Sequence, residues 1–198
     1  MSMLILASAS ATRARLLREA GVTFGVRPAD IDEGEFKATL RRKDTPVEAV
    51  AEGLAELKAV RVSAASPEAL VLGCDQTLVC EERLIAKSRD NAEARALLMD
   101  LRGKMHTLIS AAVLARDGKP VWRHRESVRL WMRDFSERFL DDYLKSEGGT
   151  VLGSVGCYQL EGRGAQLFER IEGDYFAVLG LPLIPLLAVL REYRIVPQ

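Results

Sequence analysis

Apolar residues along the chain occur both in continuous short runs and at helical spacing, and the two patterns alternate. The runs Met3–Ala7 and Leu70–Val79 predict buried strands. A helix is predicted after the first run, with Ser10 as its N-cap and Gly21 as its stop signal. This alternation predicts an α/β fold, or an α+β fold with a long mixed sheet.

Capping signals and apolar runs predict the remaining elements. Further helices are predicted to begin at Thr45 (a capping box with Pro46 and Glu48, ending near Ser63), at Asp90 (a capping box with Glu93), at Ser136 and at Pro182. Further strands are predicted at Met105–Leu114, Val121–Met132 and Gln166–Ile171, with a turn at Asp117-Gly118 and a loop over Gly148–Gly164.

The charge balance argues against one class of function, nucleic-acid binding. The chain has 198 residues, with 28 Lys and Arg against 28 Asp and Glu, so it carries no net charge. A protein that coats nucleic acid needs a net basic footprint, so a nucleic-acid partner is not expected, although a local anion site is compatible with the balance. The length predicts one large domain, or two lobes that share a cleft, over residues 1–198, and no linker marks an internal boundary.

The cysteines and the apolar segments predict a cytoplasmic protein with no membrane partner. Cys74, Cys80 and Cys157 form no short metal-binding or disulfide pattern, so we expect free thiols and no structural zinc. The N-terminus lacks the basic stretch of a signal peptide, and the longest uncharged run, Tyr175–Leu190, is too short to span a membrane. Within it, Leu181–Leu190 fits either the core or a homodimer interface.

The segment after the first predicted strand is a candidate anion site. Ser8, Ser10 and Arg13 surround the start of the first predicted helix, where free N–H groups and the helix dipole favour anions. The glycines and lysine of a Walker A loop are absent. The alternative interpretation is a capped helix with arginines facing solvent.

Carboxylates at two places are candidates for a metal or catalytic site. The first group, Asp30, Asp32, Glu33 and Glu35, is predicted to lie in a loop after a strand, where carboxylates can hold Mg²⁺. Asp75 interrupts an apolar strand, where a charge is costly unless it is paired or bound to a metal. The alternatives are a solvated loop for the group and a structural ion pair for Asp75.

Two lysines could neutralise phosphate charge. Lys58 is placed on a predicted helix, and Lys87 follows the apolar residues Leu84, Ile85 and Ala86. A solvated lysine is the ordinary alternative for both. Each of these signals is weak by itself, and their order along the chain is far more specific.

That order resembles the Maf family of nucleoside triphosphate pyrophosphatases. The segments that carry the resemblance are LASASATRARLL, DIDE, ELKA, GCDQTLV, IAKS, GKMHTLIS and FERIEGDYFAVLGLPL, and they extend over almost the whole chain. The resemblance implies an elongated α/β fold of two lobes around a central mixed sheet, with a nucleotide in the cleft between them. It also implies hydrolysis of the bond between the α- and β-phosphates, assisted by Mg²⁺ or Mn²⁺.

The resemblance further assigns roles to individual residues. It places Ser8, Ser10 and Arg13 in a phosphate-binding turn, Lys58 and Lys87 on the phosphates, and Glu33 and Asp75 at the metal, with Asp75 also catalytic. Thr12, Gln76 and Glu161 match the positions that determine base specificity.

The Asp75-Gln76 pair and the Leu160-Glu161-Gly162 triplet are similar to the subgroup that acts on 7-methyl-GTP. A carboxylate such as that of Glu161 can accept both N–H donors on the pairing edge of guanine, and methylation at N7 adds positive charge. Thr12 matches neither subgroup, and Ser88 replaces the usual proline after Lys87. The alternatives are a dTTP/UTP-type Maf pyrophosphatase and a non-catalytic nucleotide-binding regulator of septum formation.

Overall fold

The apolar runs form a seven-stranded mixed sheet in the computed structural model, which describes residues 3–42 and 45–198. The strands are β1 (Leu4–Leu6), β2 (Phe24–Val26), β3 (Leu70–Cys80), β4 (Arg83–Ile85), β5 (Met105–Arg116), β6 (Lys119–Met132) and β7 (Phe168–Glu172). Their order is β2-β1-β3-β5-β6-β7, and β4 pairs with β3. β1 is parallel to β2 and β3, whereas the β3–β4 and β6–β7 pairs are antiparallel. The predicted α/β fold is confirmed.

Seven α-helices accompany the strands in the described residues. They are α1 (Ala11–Glu19), α2 (Glu33–Arg42), α3 (Val50–Ala64), α4 (Asn91–Leu101), α5 (Glu137–Glu147), α6 (Tyr175–Val178) and α7 (Leu183–Glu192). The predicted N-caps Ser10, Asp90 and Ser136 all accept a hydrogen bond from a backbone N–H of the first helical turn. No helix in residues 3–42 and 45–198 is long and apolar enough to cross a membrane.

Three local predictions are wrong. The expected capping box at Thr45 is replaced by a 3₁₀ turn at Val47–Ala49 without a side-chain cap, and this turn leads directly into α3. Glu33 and Glu35 lie in the first turn of α2 rather than in a loop. That helix begins there because Asp32 Oδ1 accepts from the N–H of Glu35 at 2.9 Å, and acidic residues are stabilised at a helix N-terminus. The predicted glycine-rich loop contains the 3₁₀ turn Gly148–Gly153, and another follows at Arg163–Leu167.

The chain divides into two compact units. The first comprises the residues up to Gln76, Ser110–Glu126 and Asp174–Gln198. The second comprises Thr77–Ile109 and Ser127–Gly173. The single domain and the cleft expected from the sequence stay predictions.

Helices cover both faces of β1 and β3 in the first unit. Leu70, Leu72 and Cys74 share a core cluster with residues of α1 and α7, whereas Val71 packs with Val62 of α3. Strand side chains alternate between faces, so Asp75 lies on the α3 face, as Val71 does.

The segment Leu181–Leu190 belongs to the core of this unit. Leu181, Leu186 and Leu190 are fully buried in the cluster around α1 and α7, whereas Ile184 is exposed. The apolar character of the segment is therefore explained by the core, and a homodimer stays a prediction.

Gly73 allows α3 to lie very close to β3. A β-carbon at this position would overlap the carbonyl oxygen of Ala55 and come within 2.7 Å of the backbone nitrogen of Ala59. The small side chains of the two alanines favour the same close approach. As a result, Lys58 on α3 can reach Asp75 on β3.

Replacing Gly73 tests this close approach. We expect Gly73→Ala to lower the free energy of unfolding by about 1–3 kcal/mol or more, because the added methyl group overpacks the α3–β3 contact. Urea denaturation measures the loss. Gly25→Ala in β2 is the matched control, since nothing lies within 4 Å of a β-carbon built at Gly25. Equal stability losses in the two variants would contradict the interpretation.

Candidate active site

The predicted anion turn and the predicted acidic segment follow neighbouring parallel strands. Ser8 and Ser10 come after β1, and Glu33 comes after β2. Parallel strands present their carboxyl ends at the same edge of a sheet, which is where open α/β sheets bind ligands. Asp75 lies just past the pairing of Leu72 in β3 with β1. The topology of the first unit therefore gathers these residues at one edge.

Lys58 holds Glu33 and Asp75 together. Its Nζ lies 2.6 Å from Glu33 Oε1 and 2.6 Å from Asp75 Oδ1. Lys58 and Asp75 are buried, at 8% and 6% exposure, while the Glu33 side chain is 44% exposed. Since both carboxylates contact one nitrogen, these two oxygens lie no further apart than twice that distance. The structure therefore brings together the two acids (the carboxylate pair) that the sequence places far apart.

The charge of this cluster suits a cation. Two carboxylates and one ammonium leave one negative charge, and burial of Asp75 makes a positively charged partner necessary. No group of three or more His, Cys, Asp or Glu side chains in residues 3–42 and 45–198 is arranged to hold a metal. Mg²⁺, however, takes only one or two carboxylates when phosphate oxygens and water complete its shell. Glu33 and Asp75 fit that requirement.

Arg13 links the turn after β1 to β3 and to the end of α6. Its Nε donates to the carbonyl of Gly180 at 2.8 Å, and its Nη1 donates to Ser8 Oγ at 3.1 Å and to the carbonyl of Cys74 at 3.0 Å. Three of the five guanidinium N–H groups are thereby committed. The Nη2 group makes no hydrogen bond to any described residue and can donate to a ligand.

Ser10, which is predicted for the same turn, and Thr12, which is predicted for base specificity, both lie at the start of α1. Ser10 Oγ accepts from the backbone N–H of Arg13 at 3.3 Å and so acts as a helix cap. Thr12 lies half-buried in the first turn of α1. The hydroxyl of Ser10 is therefore already used by the backbone, and the phosphate-binding role of the turn stays a prediction.

Gln76 has a fixed amide orientation. Its Nε2 lies 3.0 Å from Ser110 Oγ, 3.0 Å from the carbonyl of Ala177 and 2.9 Å from that of Val178. The hydroxyl of Ser110 donates to the carbonyl of Ala177 at 2.7 Å, so it can only accept from Gln76. With acceptors around its nitrogen, the amide leaves Oε1 as the atom that can meet a ligand.

Lys87 and Glu161 lie in the second unit, where both are exposed. Ser88 follows Lys87, and its Oγ accepts from Cys157 Sγ at 3.3 Å. Cys157 is on the segment that leads to Glu161, so this bond joins the two candidate segments. Whether Lys87 and Glu161 act with the residues of the first unit stays a prediction.

The segment before Glu161 is anchored in the core of the second unit. The hydroxyl of Tyr158 lies 2.7 Å from His106 Nε2, and its ring packs edge-on against Phe168 with centroids 4.8 Å apart. Ser154 Oγ donates to the carbonyl of Tyr158 at 2.9 Å, and Tyr143 donates to that of Cys157 at 3.2 Å. An irregular segment is thus held in one conformation by buried polar contacts.

Comparison with known proteins decides the family. A family model described as Maf-like protein matches residues 3–193. The chain belongs to the Maf-like protein family. A relative from Paramagnetospirillum magneticum, named nucleoside triphosphate pyrophosphatase, is 52% identical over 188 residues, which cover 95% of this chain and 97% of the relative. Another from Brucella abortus, named 7-methyl-GTP pyrophosphatase, is 48% identical over 191 residues, 96% of both chains.

The similarity extends over the whole length of one of these relatives. A protein from Maricaulis maris, also named nucleoside triphosphate pyrophosphatase, is 46% identical over 198 residues, which is all of both chains. The resemblance found in the sequence motifs is thereby confirmed, and the Maf-like match covers both units.

The cysteines of this Maf-like protein are poor nucleophiles. All three are free and buried. Burial raises the pKa of the Cys74 thiol to about 11, an effect that Arg13 and Lys58 oppose only in part, and burial also raises the pKa of Cys80 and of Cys157. Because the thiolate is the reactive form, these groups stay protonated near neutral pH.

Two residues of the site escaped the sequence analysis. Ser110 lies in an apolar strand, where a hydroxyl suggests no more than a satisfied core residue. Gly180 accepts from Arg13 through its carbonyl and has φ +93°, a conformation that favours glycine. A glycine between two leucines was the available signal for a special backbone position.

His106 makes the stability of this Maf-like protein sensitive to acid. Burial lowers the pKa of His106 from 6.5 to about 4. The unfolded chain therefore binds this proton at a higher pH than the folded chain does, and stability is lost as the pH falls from 6.5 towards 4. We expect His106→Phe to remove roughly 2–3 kcal/mol of that pH dependence.

Urea denaturation of both proteins at about pH 7 and about pH 4.5 measures the effect. The quantity compared is the loss of unfolding free energy between the two pH values, so any general destabilisation by the substitution cancels. The same loss in both proteins would show that His106 does not titrate as described.

Proposed function

We propose that this Maf-like protein hydrolyses nucleoside triphosphates to a nucleoside monophosphate and pyrophosphate. The observation that carries the proposal is the cluster of Lys58 with Glu33 and Asp75, in which Lys58 and Asp75 are buried. Arg13 binds the carbonyl of Cys74, the residue before Asp75. Cationic donors for a polyphosphate thus lie next to acids suited to a cation and to a proton. The names of the relatives support the same activity.

The reaction is an in-line displacement at the α-phosphorus. The oxygen of a water molecule forms a bond to this phosphorus while the bond to the α–β bridging oxygen breaks. Pyrophosphate leaves with the bonding electron pair, and the carboxylate of Asp75 accepts the proton of the water. The Nη2 group of Arg13, together with Lys58, stabilises the charge on the departing pyrophosphate.

Glu33 and Asp75 are the residues that would hold Mg²⁺ or Mn²⁺. When bound, such an ion screens the negative charge of the polyphosphate. The buried position of Asp75 keeps bulk water away from the proton that it accepts.

A guanine-type base, such as 7-methylguanine, is the substrate base that we propose. Gln76 of the first unit presents its Oε1 as an acceptor, which suits an N–H donor of guanine. For Glu161 the assignment comes from the sequence resemblance, and its carboxylate suits the same class of base. The Brucella abortus relative is named for 7-methyl-GTP, which supports the same choice.

Asp75→Asn tests the catalytic assignment. The amide keeps the shape of the side chain but cannot accept the proton, so we expect turnover to fall roughly 10²- to 10⁴-fold. A pyrophosphate-release assay with Mg²⁺ measures it, with circular dichroism as the check on folding. Asp100→Asn is the matched control, because Asp100 also pairs with a lysine, Lys104, at 3.0 Å.

Three outcomes would contradict the proposal. Near-normal pyrophosphate release by folded Asp75→Asn would remove the catalytic role of Asp75. Orthophosphate as the first product of the wild-type protein would show cleavage at the β–γ bond instead. A triphosphate that binds in calorimetry without any product release would identify a regulator rather than an enzyme.

Glu161→Gln tests the base assignment. Loss of the negative charge should lower kcat/KM for 7-methyl-GTP and GTP relative to UTP and dTTP by about tenfold, the equivalent of one charge-assisted hydrogen bond. The measurement is kcat/KM for these four triphosphates. Glu169→Gln, at an exposed glutamate of β7, is the control. An unchanged substrate ranking in Glu161→Gln would remove this residue from base recognition.

A further inference from the structure

The ammonium of Lys58 lies between the two carboxylates that would hold a metal ion. It contacts both at 2.6 Å, and the Lys58 side chain is only 10% exposed. A divalent ion that approaches alone would have to displace this ammonium or remain close to it. Lys58 is therefore an internal competitor for the carboxylate pair.

We infer that Lys58 excludes free divalent ions from the carboxylate pair and that the site takes its metal together with a polyphosphate. This inference rests on the proposed function and names the ligand more narrowly: the complex of a divalent ion with a nucleoside triphosphate. The polyphosphate supplies new anionic partners for the ammonium, so Lys58 can leave the carboxylates without being buried unpaired.

The packing of α3 prevents the helix itself from moving towards β3 when a metal ion binds. The helix backbone lies against β3 at Gly73, where Ala55 and Ala59 leave no room for a β-carbon. The helix therefore cannot move further towards the strand to rearrange the cluster. Lys58 can change partners only by moving its own flexible side chain, and a bound polyphosphate would supply the new partners.

Another lysine in the chain provides the matched comparison. Lys104 also contacts two carboxylates, those of Glu81 and Asp100, at 3.4 Å and 3.0 Å. Its side chain is 35% exposed, compared with 10% for Lys58. Water screens this exposed cluster, so removal of the Lys104 charge should have little effect on metal affinity.

Binding of Mn²⁺ alone, followed by electron paramagnetic resonance, tests the inference without any hydrolysis. We expect the wild-type protein to bind Mn²⁺ at least about tenfold more tightly with an α,β-methylene triphosphate than without it. Without nucleotide, Lys58→Met should bind Mn²⁺ at least about tenfold more tightly than the wild type, because it keeps both carboxylates and loses the competing charge. Lys58→Arg and Lys104→Met should bind Mn²⁺ as the wild type does.

Either of two results overturns the inference. One is Lys58→Met binding Mn²⁺ no more tightly than the wild type. The other is wild-type protein binding free Mn²⁺ as tightly as it does with the analogue, and this result needs no variant to fold. Pyrophosphate release by the wild type is scored separately, so either result leaves the proposed activity standing, and a lack of release leaves the binding result standing.

Discussion

The contact between α3 and β3 is the constraint on which the site depends. A helix can place a lysine against a strand carboxylate only if the two backbones come close, and Gly73 with Ala55 and Ala59 provides that closeness. The ammonium then satisfies the charge of Asp75, which would otherwise be costly to bury. The position of α3 thus determines both the close backbone packing at Gly73 and the charge pairing of Asp75 with Lys58.

The alternation of side chains along β3 separates two kinds of chemistry. Asp75 points to the α3 face, where it contacts Lys58, whereas Gln76 points to the other face and contacts the carbonyls of Ala177 and Val178. These two neighbouring residues of β3 therefore contact different helices, α3 for Asp75 and α6 for Gln76. A single strand can in this way combine charge on one face with hydrogen-bond selectivity on the other.

Much of the fold could be predicted from the sequence because its signals are local. Ser10, Asp90 and Ser136 act as caps, and the long apolar runs form strands, as their patterns predict. The cap at Thr45 failed because a 3₁₀ turn supplies the preceding helical backbone, which no side-chain pattern reveals.

The site could be predicted only as a set of candidates. Glu33, Lys58 and Asp75 are far apart in sequence, and each had an ordinary alternative interpretation. Their convergence depends on strand order and on the approach of a helix, which are tertiary properties. The role of Ser110 was hidden for the same reason, since its partners Gln76 and Ala177 come from distant parts of the chain.

Arg13 and Gln76 both bind the segment around residues 177–180 through its main-chain carbonyls. Main-chain atoms are present whatever the side chain, so sequence drift at positions 177 and 178 is limited by core volume and not by the chemistry of the site. Gly180 is the exception, since its backbone conformation restricts the residue type. Side chains at positions 177 and 178 can therefore change over evolutionary time while the main-chain carbonyls of this turn continue to hold Arg13 and Gln76 in place.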